Sequence, residues 1–292
     1  MRERKTSIRT PFVVFTAFFL LFLSTMPAAQ EENFRWQDAS RELDALAYPQ
    51  SFIDSVKNKH LGKKSFPRQS VRALPGRETL IYEVQWGLVK AGFMVLTAEP
   101  DPANGQIRLG MKMMSNNFVS SMYRIRDYSI TWVDDKEFYP LFFEQHTREK
   151  KFKRDQYILY DNEGGKLFIG GRKDTVIQAP PKTHNFVSAL YYGRTMDLKP
   201  GDSFALNMYT RPRVHPMRMR VRKEETVSAG SKRYRCLMIE PTLSGDSERF
   251  NKNDHMTVWI AQDDKHRIPV MAKSKLKVGS LTARLVQVIR TE

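Results

Sequence analysis

The stretch ETLIYEVQWGLVKAGFMVLTAE, Glu78 to Glu99, decides how the chain folds. Leu80, Tyr82, Val84 and Trp86 alternate with Thr79, Ile81, Glu83 and Gln85, and Met94, Leu96 and Ala98 alternate with Phe93, Val95 and Thr97. A period of two is that of half-buried strands. Gly87 and Gly92 stand between the two runs, where glycine supplies the positive φ that a reversal or a bulge needs. The spacing predicts a β-hairpin.

Working outward, strands dominate the sequence after Glu78. Ile107, Leu109, Met111 and Met113 alternate with charged or small residues, as do Tyr128, Ile130 and Trp132. Pro140 to Arg148 and Phe152 to Tyr160 follow, and Asp161-Asn162-Glu163-Gly164-Gly165 predicts a turn before Lys166 to Ile169. Two segments break the pattern: Asn117 to Tyr123 and Asn185 to Tyr192 carry apolar residues at helical spacing. Strands resume at Ser203–Thr210, Met217–Val227, Arg233–Glu240, His255–Gln262, Ile268–Leu276 and Leu281–Arg290. About a dozen strands with short connections predict a mainly β fold, a large curved antiparallel sheet or half-open barrel with two short helices.

Before this β domain (78–292) lie two other regions. Arg2, Arg4, Lys5 and Arg9 precede the apolar run Phe12 to Leu23, with Ala28 and Ala29 after it, the order of a cleaved export signal over residues 1–29. Twelve apolar residues are too few for a comfortable membrane span, and an uncleaved anchor is the alternative. The chain is therefore expected outside the cytoplasm, in the periplasm or envelope. Residues 30–77 read as a mixed N-terminal extension: a helix from Asp38 to Leu46, a second capped by Ser51 ahead of Phe52 to Val56, and a linker from Lys57 to Gly76.

The chain has 292 residues, 41% of them hydrophobic, enough for a real core. Its formal charge is +16; the first 29 residues hold four bases and one acid, so the remainder is still +13. That excess favours acidic partners such as anionic lipid, and equally serves solubility. Cys236 is the single cysteine, which excludes an intramolecular disulfide, and its apolar neighbours suggest a buried thiol.

Tyr82-x-Val84-x-Trp86-Gly87, Ala91-Gly92, Tyr123 with Asp127, Pro140-Leu141-Phe142, Ser188-Ala189-Leu190-Tyr191-Tyr192 with Arg194, Gly201-Asp202, Trp259-Ile260 with Asp264, Arg267-Ile268-Pro269-Val270 and Gly279-Ser280 with Leu285 stand in a fixed order. This ordered set, over residues 78 to 290, resembles domain-of-unknown-function family 3108, exported bacterial envelope proteins. One departure is His184-Asn185, where the family often carries an acidic residue. The resemblance implies compartment and a curved β fold, and no activity.

No catalytic constellation stands out. Ser188 has no glycine elbow and no base fixed by spacing. The six histidines are scattered singly, unlike the paired histidines of zinc hydrolases. Asp263-Asp264 reads as a turn between strands. The chain is read as a non-enzyme without a cofactor, and nucleic acid is a poor partner because aromatic residues are not interleaved with its basic runs.

Alternation along Met217-Arg218-Met219-Arg220-Val221-Arg222 puts Met217 and Met219 on one face and Arg218, Arg220 and Arg222 on the other. Three guanidiniums in a row can grip phosphates or carboxylates, or pair with acids on the next strand. His215, Met217 and Met219 can in principle hold Cu(I), but packing is the commoner use of methionine. Trp86 and Tyr191 join these as candidate contacts for a ligand or partner. The leading expectation is a concave apolar face holding a lipid or acyl chain. The alternative is a module with a filled core that docks another envelope protein, and the two differ in whether the concave side holds a pocket of roughly 300 Å³ or more.

Overall fold

The computed structural model describes residues 34–62, 76–243, 256–275 and 279–291. The segment read as an export signal and most of the stretch read as a linker lie outside these. Helices α1 (Trp36–Asp44) and α2 (Gln50–His60) precede β1 (Arg77–Trp86), β2 (Val89–Asp101) and β3 (Gln106–Ser115). Helix α3 (Asn117–Tyr123) leads to β4 (Arg126–Asp134), β5 (Pro140–Glu149), β6 (Phe152–Asp161), β7 (Lys166–Gly170) and β8 (Thr175–Gln178). After α4 (Phe186–Thr195) come β9 (Ser203–Thr210), β10 (Arg213–Ala229), β11 (Lys232–Leu243), β12 (Met256–Ala261), β13 (Pro269–Lys275) and β14 (Ser280–Thr291).

All fourteen strands form one antiparallel sheet, ordered from β8 down to β1 and then from β14 down to β9. The opening hairpin is thus the middle of the sheet. One meander leaves it on the β2 side, and the other returns through β14 to pair with β1. Gly87 turns the hairpin with φ 59°. Gly92 sits at the bulge opposite Val84, where an added Cβ would meet the Met114 carbonyl oxygen at 2.0 Å. No side chain fits there.

Leu80, Tyr82, Met94 and Leu96 point into the curve of the sheet, in a core shared with Trp259, Val270 and Leu285. Ile81 and Val95, on the opposite face, are also buried, under Leu43, Ile53 and Val56 of α1 and α2. The hairpin is apolar at both parities because both of its faces are covered. Burying a side chain such as Leu43 or Ile53 contributes about 1.5–3 kcal/mol, so the two helices share a core with the sheet.

The ends of the sheet approach each other. His184 donates its backbone N–H to the Asn207 carbonyl (2.7 Å) and its own carbonyl accepts from Tyr209 N–H (2.8 Å), making a parallel bridge to Met208 on β9. Ile158, Tyr160 and Leu167 of β6 and β7 pack against Tyr209 and Val214. Among the described residues no ladder closes the cylinder, which stays a half-open barrel.

Several sequence expectations change. Ser51 does not cap α2: Pro49 holds that position with no side-chain bond, and its carbonyl accepts from Phe52 N–H (3.0 Å) and Ile53 N–H (3.3 Å). That helix runs on to His60, into the stretch read as linker. The strands among the described residues number fourteen rather than about a dozen, and β10 starts at Arg213 rather than Met217.

Candidate functional site

Helix α4 fills much of the concave side. Asn185 caps it through a reciprocal box, its Oδ1 accepting from Ser188 N–H (3.0 Å) while its own N–H donates to Ser188 Oγ (3.1 Å). Spacing fixes no histidine beside Ser188, but the fold places His184 Nδ1 3.1 Å from Ser188 Oγ. Both side chains are buried, and burial, with Lys182 nearby, brings the imidazole down to about 4. The Ser188 hydroxyl is occupied in capping, so the pair organises a helix terminus.

The far end of α4 is fixed by charge. Arg194, fully buried, makes a two-pronged pair with Glu78 of β1, Nη1 to Oε1 at 2.8 Å and Nη2 to Oε2 at 3.1 Å. It also donates to the His266 carbonyl at 3.1 and 3.0 Å, and lies 4.8 Å above the Tyr191 ring. Burial disfavours its charge, but Glu78 and then Tyr191 outweigh that and hold its pKa above the ordinary arginine value. Arg290 reaches the same Glu78 oxygen at 3.1 Å and Asp264 at 3.0 Å, so Asp264 serves an ion network at a turn.

Two clefts open among the described residues, one of them beside α4. One, of about 90 Å³, lies between α4 and β9–β12 and is lined by Phe186, Leu190, Met208, Met217, Met219 and Met256 among others. The second, of about 100 Å³, lies near the tip of the opening hairpin, with Met111 and Met113 beside Asp127, Ser129, Gln145 and Glu149. Both fall below the roughly 300 Å³ of pockets that engulf a drug-sized ligand. The concave face is mostly filled.

The residues singled out from the sequence separate into four places. Met217 and Met219 line the first cleft. Arg218, Arg220 and Arg222 are exposed on the other face of β10; Arg222 pairs with Glu240 of β11 (2.6 Å), while Arg218 and Arg220 have no acidic partner among the described residues. Tyr191 is fully buried under Arg194, and Trp86 ends β1, its indole 3.2 Å from where a Cβ on Gly279 would lie. Among the described residues no group of three or more His, Cys, Asp or Glu is placed to hold a metal. Cys236 is buried, which pushes its thiol up to about 12.

Sequence reasoning missed a buried polar cluster on the convex face. Glu144 of β5 is fully buried and accepts from Tyr48 N–H (3.2 Å) in the connection between α1 and α2. Burial raises its carboxyl to about 7, against the smaller opposing effects of that hydrogen bond and Arg108. His146, two residues on, donates from Nδ1 to Asp155 Oδ1 (2.7 Å) and has its ordinary pKa lowered by burial. Glu144 and His146 fall on one face of β5 by alternation, a signal that is visible in sequence but does not say which face is covered.

The family model described as a protein of unknown function, DUF3108, matches residues 81–286. The chain belongs to the DUF3108 family. The matched span of this DUF3108 protein runs from β1 to β14 and so takes in both clefts. No curated protein matches the chain. Among solved structures, a beta-barrel-like DUF1849 protein from Brucella abortus superposes with a TM-score of 0.52 at 12% identity, over 76% of the DUF3108 chain and 100% of its own. At that identity the likeness is one of fold. No helix among the described residues is long and apolar enough to cross a membrane.

Proposed function

We propose that the chain is a non-catalytic exported envelope protein that takes the end of one apolar chain in its methionine-lined cleft, rather than engulfing a whole lipid. The observation that carries this reading is the lining: none of the thirteen residues around the 90 Å³ cleft has a charged or hydrogen-bonding side chain, and four are methionines. Unbranched thioethers repack easily around irregular apolar groups. The small volume argues against a carrier of whole lipids. Export rests on the basic and apolar order of the N-terminus.

The test is a titration of methyl-labelled protein with dodecanoate and with dodecanol. The Met208, Met217, Met219 and Met256 methyl signals should move saturably with both, and Met217→Lys should abolish the response while the protein stays folded. Absence of a saturable shift at these methyls would overturn the reading.

A second reading is favoured by a different observation. Between Ser203 and Leu243 nine Lys and Arg stand against three Glu, and two of those arginines lack acidic partners among the described residues. Such a face can meet an anionic membrane surface. Each cation near that surface is worth about 1 kcal/mol, so Arg218→Gln with Arg220→Gln should weaken binding to phosphatidylserine vesicles by about thirtyfold at low salt, less as salt screens it. Arg222→Gln, whose cation is already paired, should change binding far less. Equal effects from the three positions in vesicle sedimentation would contradict this assignment.

A further inference from the structure

The cleft at the hairpin tip differs in chemistry from the methionine-lined one. Across three neighbouring strands Met111, Ser129 and Gln145 stand side by side, and Asp127 and Glu149 lie beside them on the same wall. The two carboxyls lie close enough for each to shift the other's titration, and carboxyls so placed favour holding one proton between them. Asp127 Oδ1 also accepts from Arg148 N–H at 2.9 Å, and Glu149 Oε2 accepts from the Tyr123 hydroxyl at 3.2 Å.

Ser129 supplies the independent observation. It is only 2% exposed and lines the cleft, yet its hydroxyl has no hydrogen-bond partner. A buried hydroxyl left unpaired is costly, so such groups ordinarily find a partner. Arg154, the cation on the neighbouring β6, donates through Nη2 to Gln145 Oε1 (3.3 Å) and Gln156 Oε1 (3.0 Å). It is engaged beside the cleft and is not among the lining residues.

The cleft therefore offers acceptors, two carboxyls and a hydroxyl, next to apolar side chains from Met111, Met113 and Leu281. Among the described residues no group of three or more His, Cys, Asp or Glu is placed to hold a metal ion, and this wall carries two carboxyls. A group that fits is compact, cationic and rich in donors, attached to hydrocarbon. We propose that this cleft binds a primary ammonium carried on a short alkyl body, the ammonium donating to Asp127, Glu149 and Ser129 and the hydrocarbon lying against Met111, Met113 and Leu281.

Entry of the cation displaces the proton held between the carboxyls. Burial first, and then the Asp127 charge, keep Glu149 up at about 7, and Asp127 is raised by its own burial. The other groups facing the pair are Tyr123 from α3, Arg148 from β5 and Arg154 from β6; both arginines pull Asp127 down and Arg154 does the same to Glu149, without reversing either rise. An alkylamine stays protonated at these pH values. Its binding should therefore tighten as pH rises through about 7.

Calorimetric titration of the whole protein with hexylamine, hexanol and hexanoate at low salt tests this. At pH 8 hexylamine should bind at least about tenfold more tightly than hexanol, and hexanoate more weakly than either. The advantage of the amine should shrink at pH 5.5, and the Met111 and Met113 methyl signals should move with it. Asp127→Asn with Glu149→Gln should erase the preference for amine over alcohol. Should that pair of changes prevent folding, Ser129→Ala provides the second variant and should weaken amine binding several-fold with the melting temperature retained. Equal affinity for amine and alcohol, no binding of the amine, or methyl shifts confined to the other cleft would overturn the proposal.

Discussion

Arg194→Met lowers the free energy of unfolding by about 3–5 kcal/mol, because it strands the Glu78 carboxylate without its main partner in a site closed to water. Glu78 is buried under α4 and its two oxygens meet Arg194 at 2.8 and 3.1 Å. Arg290 still approaches from one side at 3.1 Å, which places the expected loss toward the lower part of that range. The substitution also removes both donors to the His266 carbonyl. Urea denaturation followed by tryptophan fluorescence measures the change. Adding Glu78→Gln should recover part of it, since the remaining buried group is then neutral. A loss under about 1 kcal/mol for Arg194→Met would show that the pair does not lock α4 to β1.

Glu144→Gln should raise stability by about 3 kcal/mol at pH 8 and have little effect at pH 4. The Glu144 carboxyl is raised from 4.5 to about 7 by burial. A folded-state pKa above the unfolded one means that folding takes up a proton, so the contribution is fully present below 4.5 and is lost as pH rises through about 7. His146 acts in the opposite sense. Its lowered pKa means that the folded state favours the neutral ring, so its contribution is present above 6.5 and lost as pH falls below that value. The Gln variant isolates the carboxylate, and denaturation at a series of pH values should show its advantage growing between pH 5 and pH 8. An advantage independent of pH would mean that Glu144 is not the titrating group.

The β architecture was legible because alternation survives in each long strand, and the residues from Glu78 to Glu99 do occupy the centre of the sheet. What alternation cannot say is whether the second face is covered. Ile81 and Val95 read as ordinary off-face residues, yet they lie beneath α1 and α2. Strand β8 escaped notice because four residues are too few to establish a period. Helix α4 continues past Gly193 to Thr195, although glycine often marks a helix end; here the nearest atom to a Cβ on Gly193 would be the Phe204 ring at 3.8 Å. Local sequence placed Met217 and Met219 together. The Glu78–Arg194 pair, 116 residues apart, and the Asp127–Glu149–Ser129 wall need the strand order, which single-sequence periodicity does not contain.

The bridge at His184 bears on how the molecule stays out of aggregates. A sheet with two ends exposes two rows of unpaired amides, each a template for another chain. At β9 the backbone of His184 occupies part of that row. At β8 the edge lasts four residues, Thr175 to Gln178, before Ala179 leads into Pro180 and Pro181, which have no amide hydrogen to donate. The half-open barrel therefore remains unclosed without offering a long sticky margin, and copies of the chain meeting edge to edge find little to zip together.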